Sequence, residues 1–316
     1  MDLRQLEFFV AVVEEAGFTR AAERLHLAQP GISARIRRLE RELGHPLLDR
    51  TGRSVTPTEV GEAVLPYARA ALEAVENVRH AADAFTGLLR GHVAVGLVSG
   101  ATGQFDIASV LADFHREHPR VEIALTEDTS ERMLQALRRG ELDIGVLGLA
   151  DEYPPEGTAA EIVVDEPVVA AVAPGDPLLA HGAGPVGVTA LRDRALISLP
   201  SGTGLRGVLE RACAEAGFRP RVAFEAAAPP LLARLAARGL GVAVVPDMPP
   251  RVAASLGLRT LRLTPQPRAR IALTWRTGGP AAPAARALLP RLRTALEAPR
   301  TGDRGHALGD LGEWSA

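Results

Sequence analysis

One stretch constrains this chain more than any other: FTRAAERLHLAQPGISARIRRLERELGHPLLDRTGR, from Phe18 to Arg53. It reads as a short helix, a tight turn, a second helix full of arginine, and a basic loop. In the second helix Ile32, Ile36, Leu39 and Leu43 follow the i, i+4, i+7, i+11 pattern, which predicts one buried stripe. The opposite face carries Ser33, Ala34, Arg37, Arg38 and Arg41. Pro30 suits the first turn, where a missing N–H is no loss, and Gly44 stops the helix. Before this stretch, Leu3, Leu6, Val10 and Val13 recur at helical spacing and predict a first helix with one buried face, ended by Gly17. Thr19 is expected to cap the next helix, with Ala21, Ala22 and Leu25 turned inward.

Two short helices, the second exposing polar residues near its start, make helix-turn-helix geometry. Its N-terminal residues reach base edges while arginines further along meet phosphates. The loop HPLLDRTGRSVTPT sets Arg50 and Arg53 around a Thr-Gly turn and reads as a β-wing against the sugar–phosphate backbone or minor groove. The candidate DNA-binding residues are Gln29, Pro30, Ser33, Ala34, Arg35, Arg37, Arg38, Arg50 and Arg53. From Arg35 to Arg53 there are six arginines against three acids, and the whole chain has net charge −2, so a nucleic-acid surface must be local. Charge alone fits a solvated face with pairs such as Arg38–Glu42 equally well. The hydrophobic register, Pro30, the caps and the wing decide for DNA.

Thr58 is expected to cap a long helix reaching about Leu89, with Leu65, Leu72, Val75, Ala82 and Phe85 near heptad spacing and Pro66 bending it. At about 45 Å it exceeds what one small domain needs, and such a helix normally finds a partner. From Gly91 onward the pattern alternates short apolar strands (92–98, 121–126, 143–148, 195–199, 221–225, 242–245 and 269–275) with helices. That alternation predicts parallel α/β sheets. A short echo between LRRGELDIGVLG (137–148) and LAARGLGVAVVP (235–246) is consistent with two similar lobes.

Other features limit the function. Cys213 is the sole cysteine, so no internal disulfide forms, and it is expected to be a packed, inert thiol in a reducing compartment. The eight histidines show no metal-ligand spacing, and GTGLRG (202–207) lacks the order of a phosphate loop. No catalytic residue, metal or cofactor is expected. No apolar run is long enough for a membrane span, and the N-terminal acids do not fit a signal peptide, so a cytoplasmic protein is expected.

Residues 1–61 resemble, without gaps, the N-terminal domain of the LysR-type transcriptional regulators. The resemblance lies in LRQLEFFVAVVEE, FTRAAERLHLAQPGISARIRRLERELG and LLDRTGRSVTPTEVG. It departs where Ala28 replaces the usual Ser or Thr, where Ala34-Arg35 replaces the frequent Arg-Gln, and at Pro57 in place of Leu. The resemblance implies an all-α winged helix-turn-helix (1–61) with a long linker helix (58–89) for dimerisation. After them would come an α/β two-lobed, periplasmic-binding-protein-like effector domain (91–298). Lobe one would span 91–161 and 268–298, lobe two 162–267, with crossings at 161–166 and 265–267; the composition after about Glu297 reads by itself as a flexible tail (299–316). It further implies a homodimer or homotetramer on promoter DNA that contacts RNA polymerase and is switched by a small-molecule effector between the lobes.

Open α/β sheets place ligands at strand C-termini. The loops there supply the candidate effector residues Ser99, Gly100, Thr102, Thr129, Ser130, Ser201, Thr203 and Arg206. Two of these loops precede helices, which favours an anion such as a carboxylate, although Ser, Gly and Thr are also ordinary cap and turn residues. Ala226, Ala227 and Ala228 make the expected cleft less polar. A transport binding protein would share the two lobes but has no use for residues 1–61. An enzyme would need a nucleophile–base pair or metal cluster.

Overall fold

The computed structural model describes residues 1–52, 54–84, 89–98, 105–182 and 184–297. Helix α1 (Leu3–Glu14) opens with a capping box, in which the Gln5 amide donates to Asp2 at 2.9 Å and the Asp2 amide donates to the Gln5 side chain at 2.7 Å. Its buried surface is wider than one stripe. Phe8, Phe9, Val10, Ala11 and Val12 are all buried, whereas Leu3, expected inside, is 44% exposed. The cause is that α1 packs against α2 (Phe18–Arg24), α3 (Gln29–Leu43) and α4 (Glu59–Ala84) at once. Helix α2 starts from Gly17, so Thr19 lies inside it rather than capping it; Ala16, at φ 48°, has already turned the chain.

Helix α3 buries Ile32, Ile36 and Leu39 completely and ends at Gly44 in the left-handed region, while Leu43 is 37% exposed. Its N-cap, Ala28, supplies no side-chain hydrogen bond. Strands β1 (Leu48–Asp49) and β2 (Thr56–Pro57) pair antiparallel as the wing. Thr58 caps α4: its hydroxyl accepts from the Gly61 amide at 3.0 Å and donates to the Pro46 carbonyl at 2.7 Å. Gly61 is obligatory, because a Cβ there would stand 2.0 Å from the Leu47 carbonyl oxygen. Leu65 and Leu72 pack on the core of the head, while Tyr67 and Val78 stand exposed. The expected run to Leu89 meets residues 85–88, Phe85 among them, outside the described residues; Leu89 and Arg90 are not helical.

The remainder is a mixed sheet flanked by helices. The strands are β3 (Gly91–Leu97), β4 (Val121–Glu127), β5 (Ile144–Leu149), β6 (Thr158–Val172), β7 (Val186–Gly187), β8 (Leu196–Ser198), β9 (Val222–Glu225), β10 (Val242–Pro246), β11 (Arg259–Thr264) and β12 (Arg268–Arg276). The helices are α5 (Ile107–Glu117), α6 (Ser130–Arg139), α7 (Gly204–Glu215), α8 (Pro229–Ala237), α9 (Pro250–Ser255) and α10 (Pro283–Glu297). The order is β4-β3-β5-β12-β6-β10-β8-β9, with β11 beside β6 and β7. Neighbours within each lobe (β4-β3-β5 and β10-β8-β9) are parallel, but β12 and β6 run antiparallel to theirs, so the sheet is not the all-parallel one that strand–helix alternation predicts. The reason is connectivity: β6 and the β11–β12 segment carry the chain out of one lobe and back.

Strand β6 is 15 residues long and is absent from the strands that the sequence pattern predicts. Its residues 158–167 pair mainly with β12, and 168–172 pair with β10 and β11. Val93, Val95, Phe114, Ile144 and Leu288 form the core of the first lobe. Val168, Leu191, Leu209, Cys213 and Val244 form that of the second. Among the described residues no helix is long and apolar enough to cross a membrane.

Candidate nucleic-acid interface and interlobe contact

The outer face of α3 carries charge on a rigid base. Gln29, Pro30, Ala34, Arg35, Arg37 and Arg38 are exposed and Ser33 is half-buried, above the three fully buried side chains of the same helix. The arginines differ in how they are held. Arg35 lies over the Phe8 ring at 5.6 Å. Arg38 pairs with Glu42 at 2.9 Å, and the N-terminal ammonium also reaches Glu42. The ammonium first and Arg38 second hold the Glu42 carboxyl down at about 2. Arg50 pairs with Glu40 at 2.7 Å and covers the Phe18 ring at 5.3 Å. The other Glu40 oxygen accepts from the Leu47 and Leu48 amides at 3.0 and 3.3 Å. Glu40 therefore fastens the wing to α3, a role that spacing alone does not reveal.

Arg41 donates from Nε to the Arg37 carbonyl at 3.3 Å, and among the described residues neither guanidinium has an acidic partner. Arg37 and Arg41 also line a shallow groove with Ala34 and Pro46. A cation without an internal partner keeps its full charge for a phosphate, whereas Arg50 must first leave Glu40. Arg53 lies outside the described residues.

Two of the loops expected to bind an effector, at 129–130 and 200–206, meet across the lobes. The Glu131 amide donates to the Gly202 carbonyl at 3.0 Å. A Cβ on Gly204 would lie 2.3 Å from the Gly148 carbonyl carbon, and one on Gly207 would lie 2.7 Å from Ala150 Cβ. The start of α7 is thus pressed onto the end of β5, and only glycine permits the approach.

The candidate hydroxyls are largely engaged there. Ser130 is buried and its Oγ accepts from the Gly148 amide at 3.1 Å. Thr129 caps α6 by accepting from the Arg132 amide at 3.4 Å. Thr203 donates to the Pro200 carbonyl at 2.7 Å and leaves the first turn of α7 without a side-chain cap. Ser201 is exposed. Arg206 does not offer a free charge: it pairs with Glu210 at 2.7 Å and Glu225 at 3.2 Å, with only 13% of its side chain exposed. Ser99, Gly100 and Thr102 lie outside the described residues.

A family model described as "Bacterial regulatory helix-turn-helix protein, lysR family" matches residues 3–62, and one described as "LysR substrate binding domain" matches residues 86–297. The chain belongs to the LysR family of transcriptional regulators. It is 36% identical to the HTH-type transcriptional regulator ShiR of Corynebacterium glutamicum, over 77% of this chain and 82% of that one. It is 30% identical to the DNA-binding transcriptional dual regulator OxyR of Escherichia coli, over 97% of both chains.

Among solved structures, a full-length OxyR variant from Pseudomonas aeruginosa superposes with a TM-score of 0.66 at 26% identity, covering 95% of this chain and 98% of that one. CbnR in complex with its target DNA shares the fold, with a TM-score of 0.55 at 22% identity over 93% of this chain and all of that one. This LysR-type regulator is thus a DNA-binding transcription factor with a ligand-binding effector domain, and not an enzyme.

Proposed function

We propose that this regulator reads its operator through the exposed face of α3 and holds the duplex through phosphate contacts from Arg37, Arg38 and the wing. The supporting observation is the division of α3 itself. Ile32, Ile36 and Leu39 are fully buried, while Arg37 and Arg41 stand exposed with no acidic partner among the described residues. Gln29, Pro30, Ser33, Ala34 and Arg35 occupy the N-terminal half, where base edges are read. Arg50, and Arg53 beyond it, serve the backbone. Two heads are paired through α4 of a homodimer or homotetramer, which acts in the cytoplasm and contacts RNA polymerase.

A randomised-operator selection with Ser33→Ala tests the reading: a changed site preference is expected, and an unchanged one assigns Ser33 no base. Arg37→Ala is expected to lower affinity for all sequences alike; a loss confined to one base pair contradicts a phosphate role.

We further propose that a small anionic effector sits between the lobes (91–161 with 268–298, and 162–267), near Thr129, Ser130, Ser201 and Thr203. Support comes from the two helix starts that converge there and from the uncapped amides of α7. Arg206 contributes only if Glu225 is displaced. Several relatives are named hydrogen peroxide-inducible activators. Cys213 argues against that stimulus here: it is the sole cysteine, and burial pushes its thiol up to about 11, so little thiolate exists at neutral pH. A thermal-shift series of small carboxylates on the full chain tests the effector reading; a flat response to every anion counts against it.

A further inference from the structure

Arg69 of α4 lies where the head meets the first lobe, and it holds both. The stretch of α4 around it belongs to the head: Ala68 is buried in the head's core, and Leu65 and Leu72 pack on that core. Arg69 Nη2 donates to Glu14, at the end of α1, at 3.3 Å. Its Nη1 donates to Glu141 of the first lobe at 2.8 Å. Each carboxylate spends its second oxygen on another guanidinium: Glu14 accepts from Arg24 of α2 at 2.8 Å, and Glu141 from Arg139 of α6 at 2.9 Å. Five charges of alternating sign thus run from Arg24 in the helix-turn-helix to Arg139 in the first lobe.

The lobe end of this row is anchored as firmly as the head end. Glu141 follows Gly140, the left-handed cap of α6, and its amide donates to the Ala136 carbonyl at 2.9 Å. Two residues on, Asp143 exchanges two hydrogen bonds with Ala94 of β3, each at 2.9 Å. Helices α6 and α10 of the same lobe also pack on α4. Around α4, Arg69 stands about 180–200° from the exposed Tyr67 and Val78, so this face does not compete with the one open to a second copy. A lone surface ion pair is weak, but here one guanidinium joins two carboxylates that are each held by a further arginine.

We propose that Arg69 is a positioning residue that latches the head to the first lobe and fixes where α3 points relative to the effector domain. Breaking the Glu141 arm lets the head turn, while the packing of α4 and the Glu14 arm persist. A head free to turn must be ordered again when it meets DNA, so the unlatched protein binds its operator more weakly. That last step rests on the operator reading above; the latch itself does not.

The sequence has no lysine, so Arg69→Lys places the sole side-chain amine of its kind at this junction. The full chain is treated with a water-soluble carbodiimide, which condenses an amine with a carboxylate in contact, and its peptides are read by mass spectrometry. Amides to both Glu14 and Glu141 are expected, the second vanishing when Glu141→Gln is added. An amide to Glu14 alone, or none, overturns the latch. In gel shifts with the chain's own upstream DNA, Glu141→Gln is expected to bind about two- to fivefold more weakly than the parent. Glu156→Gln, the same charge change on an exposed acid of the first lobe, should leave affinity unchanged. Equal affinity of Glu141→Gln and the parent overturns the control of DNA binding by Arg69. Failure of the parent to bind that DNA sinks the operator reading instead, and the amides still decide the latch.

Discussion

The DNA-binding head and the interlobe contact use opposite arrangements. The head displays its candidate groups: α3 buries an aliphatic stripe and holds a row of arginines in solvent. The interlobe contact conceals them. Ser130, Thr129 and Thr203 spend their oxygens on helix starts and turns, and Gly148 and Gly204 bring two backbones together. A surface that meets a polyanion needs side chains reaching outward from a stiff support. At the interlobe contact, close backbone approach at Gly148 and Gly204 leaves little room for side chains between the lobes.

Substitutions can separate the two regions, and the largest effect is expected in the support of the head. Ile36→Ala should lower stability of the head by about 2–5 kcal/mol in chemical denaturation, because its site is fully enclosed. A loss under about 1 kcal/mol would mean that α3 is not anchored through that stripe. Gly204→Ala should cost about 1–3 kcal/mol by overpacking and push the lobes apart, since its Cβ would meet the Gly148 backbone. A larger radius of gyration in solution scattering and a lower melting temperature are the readouts; neither should appear if the contact is slack.

Next come the arginines. Arg37→Ala should flatten the dependence of log affinity on log salt by about 0.9, the value for one phosphate contact. Arg50→Ala should flatten it less, because Arg50 is already paired with Glu40. Equal changes would show that the internal pair is irrelevant on DNA.

The smallest effect concerns Glu42. Its folded carboxyl titrates at about 2, below the ordinary 4.5, so its contribution is present above 4.5 and lost as pH falls towards 2. Carbon-detected NMR should find that midpoint, and an ordinary one would show that the pairing with Arg38 and the N-terminal ammonium is not maintained.

Much of the head is legible in the sequence because its function rests on single side chains at helical spacing. Ile32, Ile36 and Leu39 lie where the 3.6-residue period puts them, and Gly44 ends the helix. Leu3 and Thr19 depart from expectation because burial and capping there depend on neighbouring helices and on the turn at Ala16, which period cannot reveal. In the lobes the buried strands are visible as apolar runs. β6 escapes that pattern because Asp165, Glu166 and Pro167 interrupt its apolar residues, yet they lie where the strand changes partners. β11 escapes it because arginine alternates with Leu261 and Leu263. Arg206 reads as a spare charge because only one of its two partners, Glu210, is near in sequence; the other, Glu225, lies 19 residues away on another strand.

Strand β6 belongs to both lobes without interruption, from Thr158 to Val172. Its ladder with β12 carries a register shift between Ile271 and Ala272, and beyond Pro167 it changes partners to β10 and β11. With the β11–β12 segment as the return path, the two lobes are joined by a pair of neighbouring strands, so a change in the angle between them has to bend or twist those two strands.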